Sequence, residues 1–146
     1  MIKKAKHLLK GMPEDKIIDT SINLNVPAYI ENDYLPQAEL RLEMYKRLAE
    51  CKTLDELEIL KDEIVDRFGP FSTTFQNLIE LTKLKIISMP LMIKRIIGTN
   101  KRIECTFDSE SPILADNKTS NVLVFNPQED NSILFLQNTF LTIISN

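Results

Sequence analysis

The sequence predicts an α+β domain, with a helical half of three helices followed by a mostly antiparallel small sheet. Two observations carry that reading. Between residues 37 and 89 the apolar side chains recur at helical spacing, and after Pro90 the period changes to alternation. The length, 146 residues, suits one domain of ordinary size, able to bury a core without disulfides or metal.

Ile2 to Lys10 places Ile2, Ala5, Leu8 and Leu9 on one helical face, with Gly11 at the stop and Pro13 beyond it. A helix this short is marginal alone. Asp19 to Asn25 alternates Ile22 and Leu24 with polar neighbours and reads as a short strand closed by Pro27. From Pro27 to Pro36 runs a turn-rich connector whose Tyr29, Ile30, Tyr34 and Leu35 are apolar enough to pin it to the core.

The first full helix covers 37–50, with Leu40, Met44, Tyr45 and Leu48 on its buried stripe. Thr53 and Glu56 form a capping box for the second, whose buried face is Leu57, Leu60, Ile64 and Phe68 and whose stop is Gly69-Pro70. Ser72 or Thr73 opens the third, through Phe75, Leu78, Ile79 and Ile86 to Met89-Pro90. Its apolar positions surround more than half of it, so it is expected to be the central, most buried helix. Ile93 to Ile97, the turn Gly98-Thr99-Asn100, and Ile103, Cys105 and Phe107 read as a hairpin. Val122 to Phe125 and Ile133 to Leu136 read as a second strand pair. The tail from Thr139 to Ile144 fits either a strand or a short helix.

Composition excludes several chemistries. The three glycines, at 11, 69 and 98, lie too far apart for a phosphate-cradling loop. A single histidine, His7, leaves no pair for zinc, and no acid or nucleophile is spaced to make it a general base. Cys51 and Cys105 show no Cys-x-x-Cys spacing and read as small apolar residues. No metal, cofactor or catalytic residue is expected. Asp62 and Asp66 stand one helical turn apart, as do Glu39 and Glu43, but neither pair has a third ligand, and both read as polar outer faces. The basic start is followed by only Leu8-Leu9 before Lys10, too short for a signal peptide, and no apolar run approaches a membrane span. The expected location is cytoplasmic.

Charge is unevenly spread over a chain of net charge −3. Residues 81–103 hold Lys83, Lys85, Lys94, Arg95, Lys101 and Arg102 without an acid, whereas 104–146 are acidic apart from Lys118. Such a strip can follow a phosphate backbone. No aromatic side chain interleaves with it to stack bases, and Lys83 and Lys85 fall on different helix faces, so solvated surface is the simpler reading.

The middle of the chain is more specific. The runs Ile22-Asn23-Leu24-Asn25-Val26-Pro27-Ala28-Tyr29-Ile30, Asp33-Tyr34-Leu35-Pro36 and Leu40-Arg41-Leu42-Glu43-Met44-Tyr45-Lys46-Arg47-Leu48-Ala49 resemble the C-terminal domain of bacterial transcription-repair coupling factors. Glu56-Leu57, then Asp62-Glu63-Ile64-Val65-Asp66-Arg67-Phe68-Gly69-Pro70, continue the likeness, as do Leu78, Leu81, Lys83, Leu84 and Lys85. It covers residues 22–95 well and 96–146 only in strand pattern. There are departures: Glu31 where the family has proline, Gln37 where an acid is commoner, and a short polar stretch, Asp108 to Ser120, where the family fits a helix.

The resemblance implies residues 1–20 to be the remnant of a preceding helicase-module helix and linker, and 21–146 the C-terminal domain. It implies a parent translocase that displaces stalled RNA polymerase by ATP-driven movement on DNA and recruits the damage sensor UvrA. ATP and Mg would then bind elsewhere in the parent. The domain itself would be a non-catalytic autoinhibitory clamp, packing on the parent's UvrB-like module and masking the UvrA-binding surface. The alternative is a nucleic-acid-binding appendage using the strip 83–102. No partner-binding residue is singled out by either.

Overall fold

The computed structural model describes residues 19–114, 121–127 and 131–145. The helix expected over residues 2–10 and His7 lie outside them. The order is β1 (Ser21–Asn23), α1 (Ala38–Glu50), α2 (Leu54–Phe68), α3 (Thr73–Ser88), a 3-10 turn (Met89–Leu91), β2 (Ile93–Gly98), β3 (Ile103–Phe107), a second 3-10 turn (Pro112–Leu114), β4 (Val122–Phe125) and α4 (Ser132–Ser145).

The three expected helices are present, and side-chain caps mark the starts of the second and third. At α2 the Glu56 amide donates to Thr53 Oγ1 (3.1 Å), while the Glu56 carboxylate reaches back past Thr53 to accept from the Lys52 amide (2.7 Å). At α3 the cap is Ser72, whose Oγ accepts from the Phe75 amide. Gln37 precedes α1 with no side-chain cap, so Gln there forgoes what an Asp supplies. The connector is pinned as expected at Ile30 and Leu35, both buried, but Tyr29 is exposed. Tyr34 and Leu35 amides donate to the Glu31 carbonyl, closing the turn, and the Ile30 amide donates to the hydroxyl of half-exposed Tyr45 (2.8 Å).

Two cores follow from this layout. Ile30, Leu35, Met44, Leu48, Leu57, Leu60, Ile64, Phe75 and Ile79 bury one face each of the connector and the three helices. Leu84 and Ile87 of α3 carry the second core to the sheet, against Ile93, Ile96, Ile103, Cys105 and Phe107. α3 is therefore the helix shared by both cores, as its all-round apolar pattern requires.

The sheet order is β1-β2-β3-β4. β1 joins β2 in parallel, and the two remaining pairings are antiparallel, including the expected β2–β3 hairpin. The row Ile22–Ile96–Cys105–Leu123 faces the core, and α3 and α4 both pack on that side. Among the described residues no element packs on the opposite side. Its rows are Ser21–Arg95–Thr106–Val122 and Asn23–Ile97–Glu104–Val124.

One expectation is overturned. Ile133 to Leu136 belongs not to a strand but to α4, which also takes in the tail from Thr139. A short apolar run does not by itself distinguish strand from helix. The longer pattern does: Ile133, Leu136, Gln137 and Phe140 recur at helical spacing and are all buried. Asn131 caps the start, its Oδ1 accepting from the Leu134 amide (2.9 Å). Gln137 then locks α4 to α3, donating from Nε2 to the Glu80 carbonyl (2.9 Å) and to Glu80 Oε1 (3.0 Å), while Gln76 holds the other Glu80 oxygen (2.7 Å).

Candidate interaction surface

Among the described residues no group of three or more His, Cys, Asp or Glu is arranged to hold a metal ion, and no helix is long and apolar enough to cross a membrane. Asp62 and Asp66 are exposed on α2. Between them in sequence, Glu63 is committed to structure. Its carboxylate receives Arg47 Nη1 and Nη2 of α1 at 2.6 and 2.8 Å and Arg67 Nη1 at 3.2 Å. Arg67 also lies 4.8 Å from the ring centre of Phe68.

The Arg47 hydrogen bond holds the Glu63 carboxyl down at about 2, against an ordinary 4.5. A folded-state pKa below the unfolded one stabilises the fold fully above the ordinary value. That contribution disappears as pH falls toward about 2. Glu63→Gln is therefore expected to flatten the acid limb of the stability profile between those two values, read by urea denaturation across pH. Parallel limbs in the two proteins would show that the fork carries no pH-dependent stability.

The cysteines serve as small apolar residues. Cys105 is buried in the sheet and burial alone pushes its thiol up to about 12, so it is protonated throughout the neutral range. Cys51 is half-buried beside a crevice of about 310 Å³ lined by Leu48, Ala49, Lys52, Thr82, Lys85, Ile86 and Met89. Burial raises the Cys51 thiol most, and with Glu56 and Glu50 it outweighs the lowering by Arg47, so the site disfavours the thiolate.

The basic strip is divided by the fold. Lys85 is occupied by Asp19 (Nζ to Oδ1 2.8 Å), and that bond is the largest of the causes lowering the Asp19 carboxyl. Arg102 is answered by Glu104 (3.0 Å). Lys83 is half-buried on α3, and Lys101 is exposed in the hairpin turn. Lys101 and Arg102 are also adjacent and exposed, but Arg102 is paired; Lys94 and Arg95 are neighbours exposed on β2 with no ion pair among the described residues. Sequence alternation would send them to opposite faces. They share one side because the β2–β3 register shifts between Ile93 and Arg95, leaving Lys94 opposite no residue of β3. Nothing in the residue pattern signals that bulge.

A helical half joined to a mixed four-stranded sheet, with α3 and α4 packed on one face of that sheet, defines a small α+β domain of a known kind. A sequence model of the TRCF domain matches residues 24–118. The chain belongs to the TRCF domain family. Transcription-repair-coupling factors of Haemophilus influenzae (41% identical over 75 residues, 51% of this chain and 6% of the relative) and Escherichia coli (31% over 106 residues, 69% and 9%) are similar to it. So is that of Staphylococcus aureus strain USA300, 26% identical over 106 residues, 71% of this chain and 9% of the relative. The chain thus spans less than a tenth of these relatives' length. A crystal structure of the C-terminal domain of transcription-repair coupling factor superposes with a TM-score of 0.73 at 20% identity, covering 86% of this chain and 94% of that one, and so shares its fold.

Proposed function

We propose that this is the regulatory C-terminal domain of a bacterial, cytoplasmic transcription-repair coupling factor. In this reading it is non-catalytic and binds no cofactor of its own. It docks on the UvrB-like module of its parent, masks the UvrA-binding surface and restrains the DNA translocase. The observation that supports docking over chemistry is the uneven distribution of charge: on α1 and α2 the exposed acids, among them Glu39, Glu43, Asp62 and Asp66, outnumber the exposed bases Lys46 and Arg67, whereas β2 and the hairpin turn expose the bases Lys94, Arg95, Lys101 and Arg102. Charge-complementary contacts select a partner and release under modest competition. Tethering makes such weakness sufficient. At an effective concentration of about 1 mM, a contact with a Kd of about 0.1 mM stays mostly closed, and a few kcal/mol of competing contacts open it.

Calorimetry of this domain against the separately produced UvrB-like module, at low and high salt, tests the reading. The expected result is a Kd between about 1 and 100 µM at low salt, weaker at high salt and competed by UvrA. Tight binding indifferent to salt would contradict the charge-based contact. No heat together with duplex-DNA binding that falls linearly with log salt would replace the clamp by a nucleic-acid appendage.

A further inference from the structure

The face of the sheet that no described element covers carries Lys94 and Arg95, so an inference about it rests on the docking reading and deepens it. We infer that this face is a docking surface whose partner is an extended, acidic and aliphatic segment of a protein. The bulge in β2 is the first argument. It turns Lys94 and Arg95 out together, and it is built in: buried Thr20 donates its hydroxyl to the Ile93 carbonyl (2.7 Å), supplying a partner where the ladder is irregular. Neither cation of the doublet has a carboxylate partner among the described residues. Arg95 is flanked across the sheet by Ser21 and Thr106, both too small to cover its guanidinium. That leaves the fork open to a bidentate carboxylate.

The second argument is what lies beside the doublet. Ile97 and Val124 flank Glu104 in the next row and are 41% and 42% exposed. Arg95 and Ile97 are two residues apart on one strand, about 6.6 Å by strand rise. An extended segment with a carboxylate at one position and an aliphatic side chain two further on meets both. Nucleic acid fits the same face poorly. No aromatic residue stands on its rows to stack a base.

The probe is a labelled peptide of Glu-Thr-Val-Thr repeats, with Lys-Thr-Val-Thr repeats and a DNA duplex as comparisons, followed by anisotropy and by amide chemical shifts of the 146-residue chain. The acidic peptide is expected to bind at low salt and to move the amides of residues 94–97, 104–106 and 122–124. The K94E/R95E pair should weaken it about tenfold or more, and Ile97→Ser severalfold, with the remaining spectrum unchanged. Should charge reversal disturb the spectrum, K94Q/R95Q replaces it. Absence of binding, shifts centred elsewhere, or binding indifferent to the doublet would overturn the inference. Preferential binding of the duplex through Lys94 and Arg95 would overturn it in favour of nucleic acid.

Discussion

Replacing Phe140 with alanine is expected to cost about 3–5 kcal/mol of unfolding free energy. Its ring is fully buried and closes the sheet-side core from α4, with the Phe125 ring 6.4 Å away and Leu84, Ile87, Ile96 and Cys105 in the same cluster. A void in a close-packed interior removes the transfer free energy of the ring and the contacts of the atoms that lined it. For a total stability of about 5–15 kcal/mol this is a large fraction. It corresponds to a fall in melting temperature on the order of 10 °C. Denaturant titration with circular dichroism reads it directly. A loss below about 1 kcal/mol, the size of an ordinary surface change, would mean that α4 does not close this core in solution. Leu134→Ala, on the exposed side of the same helix, provides the comparison and should stay within about 0.5 kcal/mol.

Gly98→Ala is the second. A Cβ at this position would lie 2.2 Å from the Arg102 carbonyl oxygen and 2.6 Å from the Ile103 Cα. Both are backbone atoms of the facing hairpin arm, so no side chain can swing aside. Relief requires the turn to open, which sacrifices the Thr99 amide bond to that same Arg102 carbonyl (2.9 Å) and the Gly98–Ile103 pairing. The backbone φ of +156° adds a penalty for any residue with a Cβ. Together these should cost about 3 kcal/mol. Gly69→Ala separates the two contributions. Gly69 also has a positive φ, +95°, but a Cβ there meets nothing within 4 Å. Its loss should be confined to the dihedral cost, about 1–2 kcal/mol. Equal losses at the two positions in urea titration would refute the clash at Gly98.

Much of the fold was legible because local chemistry carried it. Thr53 with Glu56, Ser72 ahead of Phe75, and Gly69-Pro70 mark helix ends through groups within a turn of one another. The β2–β3 hairpin was equally local, its turn standing between two alternating runs. α4 was not, although its start was written in Asn131 and its face in Ile133, Leu136 and Phe140. The missing face residue was polar: Gln137 is buried because Glu80, on another helix, accepts from it. A residue pattern scored by hydrophobicity cannot count a glutamine as interior until its partner is known. The candidate surface was legible in content and not in shape. The sequence showed the cations, but Asp19 and Glu104 decide which of them are already paired.

By itself, then, the sequence determined the family, the three helices of the first half, two of them with side-chain caps, and the hairpin, since each depends on residues close together in the chain. Only the tertiary structure decided that β1 runs parallel to β2, pairing Ser21 with Arg95, that α4 shares one face of the sheet with α3, and that a bulge turns Lys94 and Arg95 out together. These rest on contacts between segments far apart in sequence, and on a register fixed by which side chains the common core can bury.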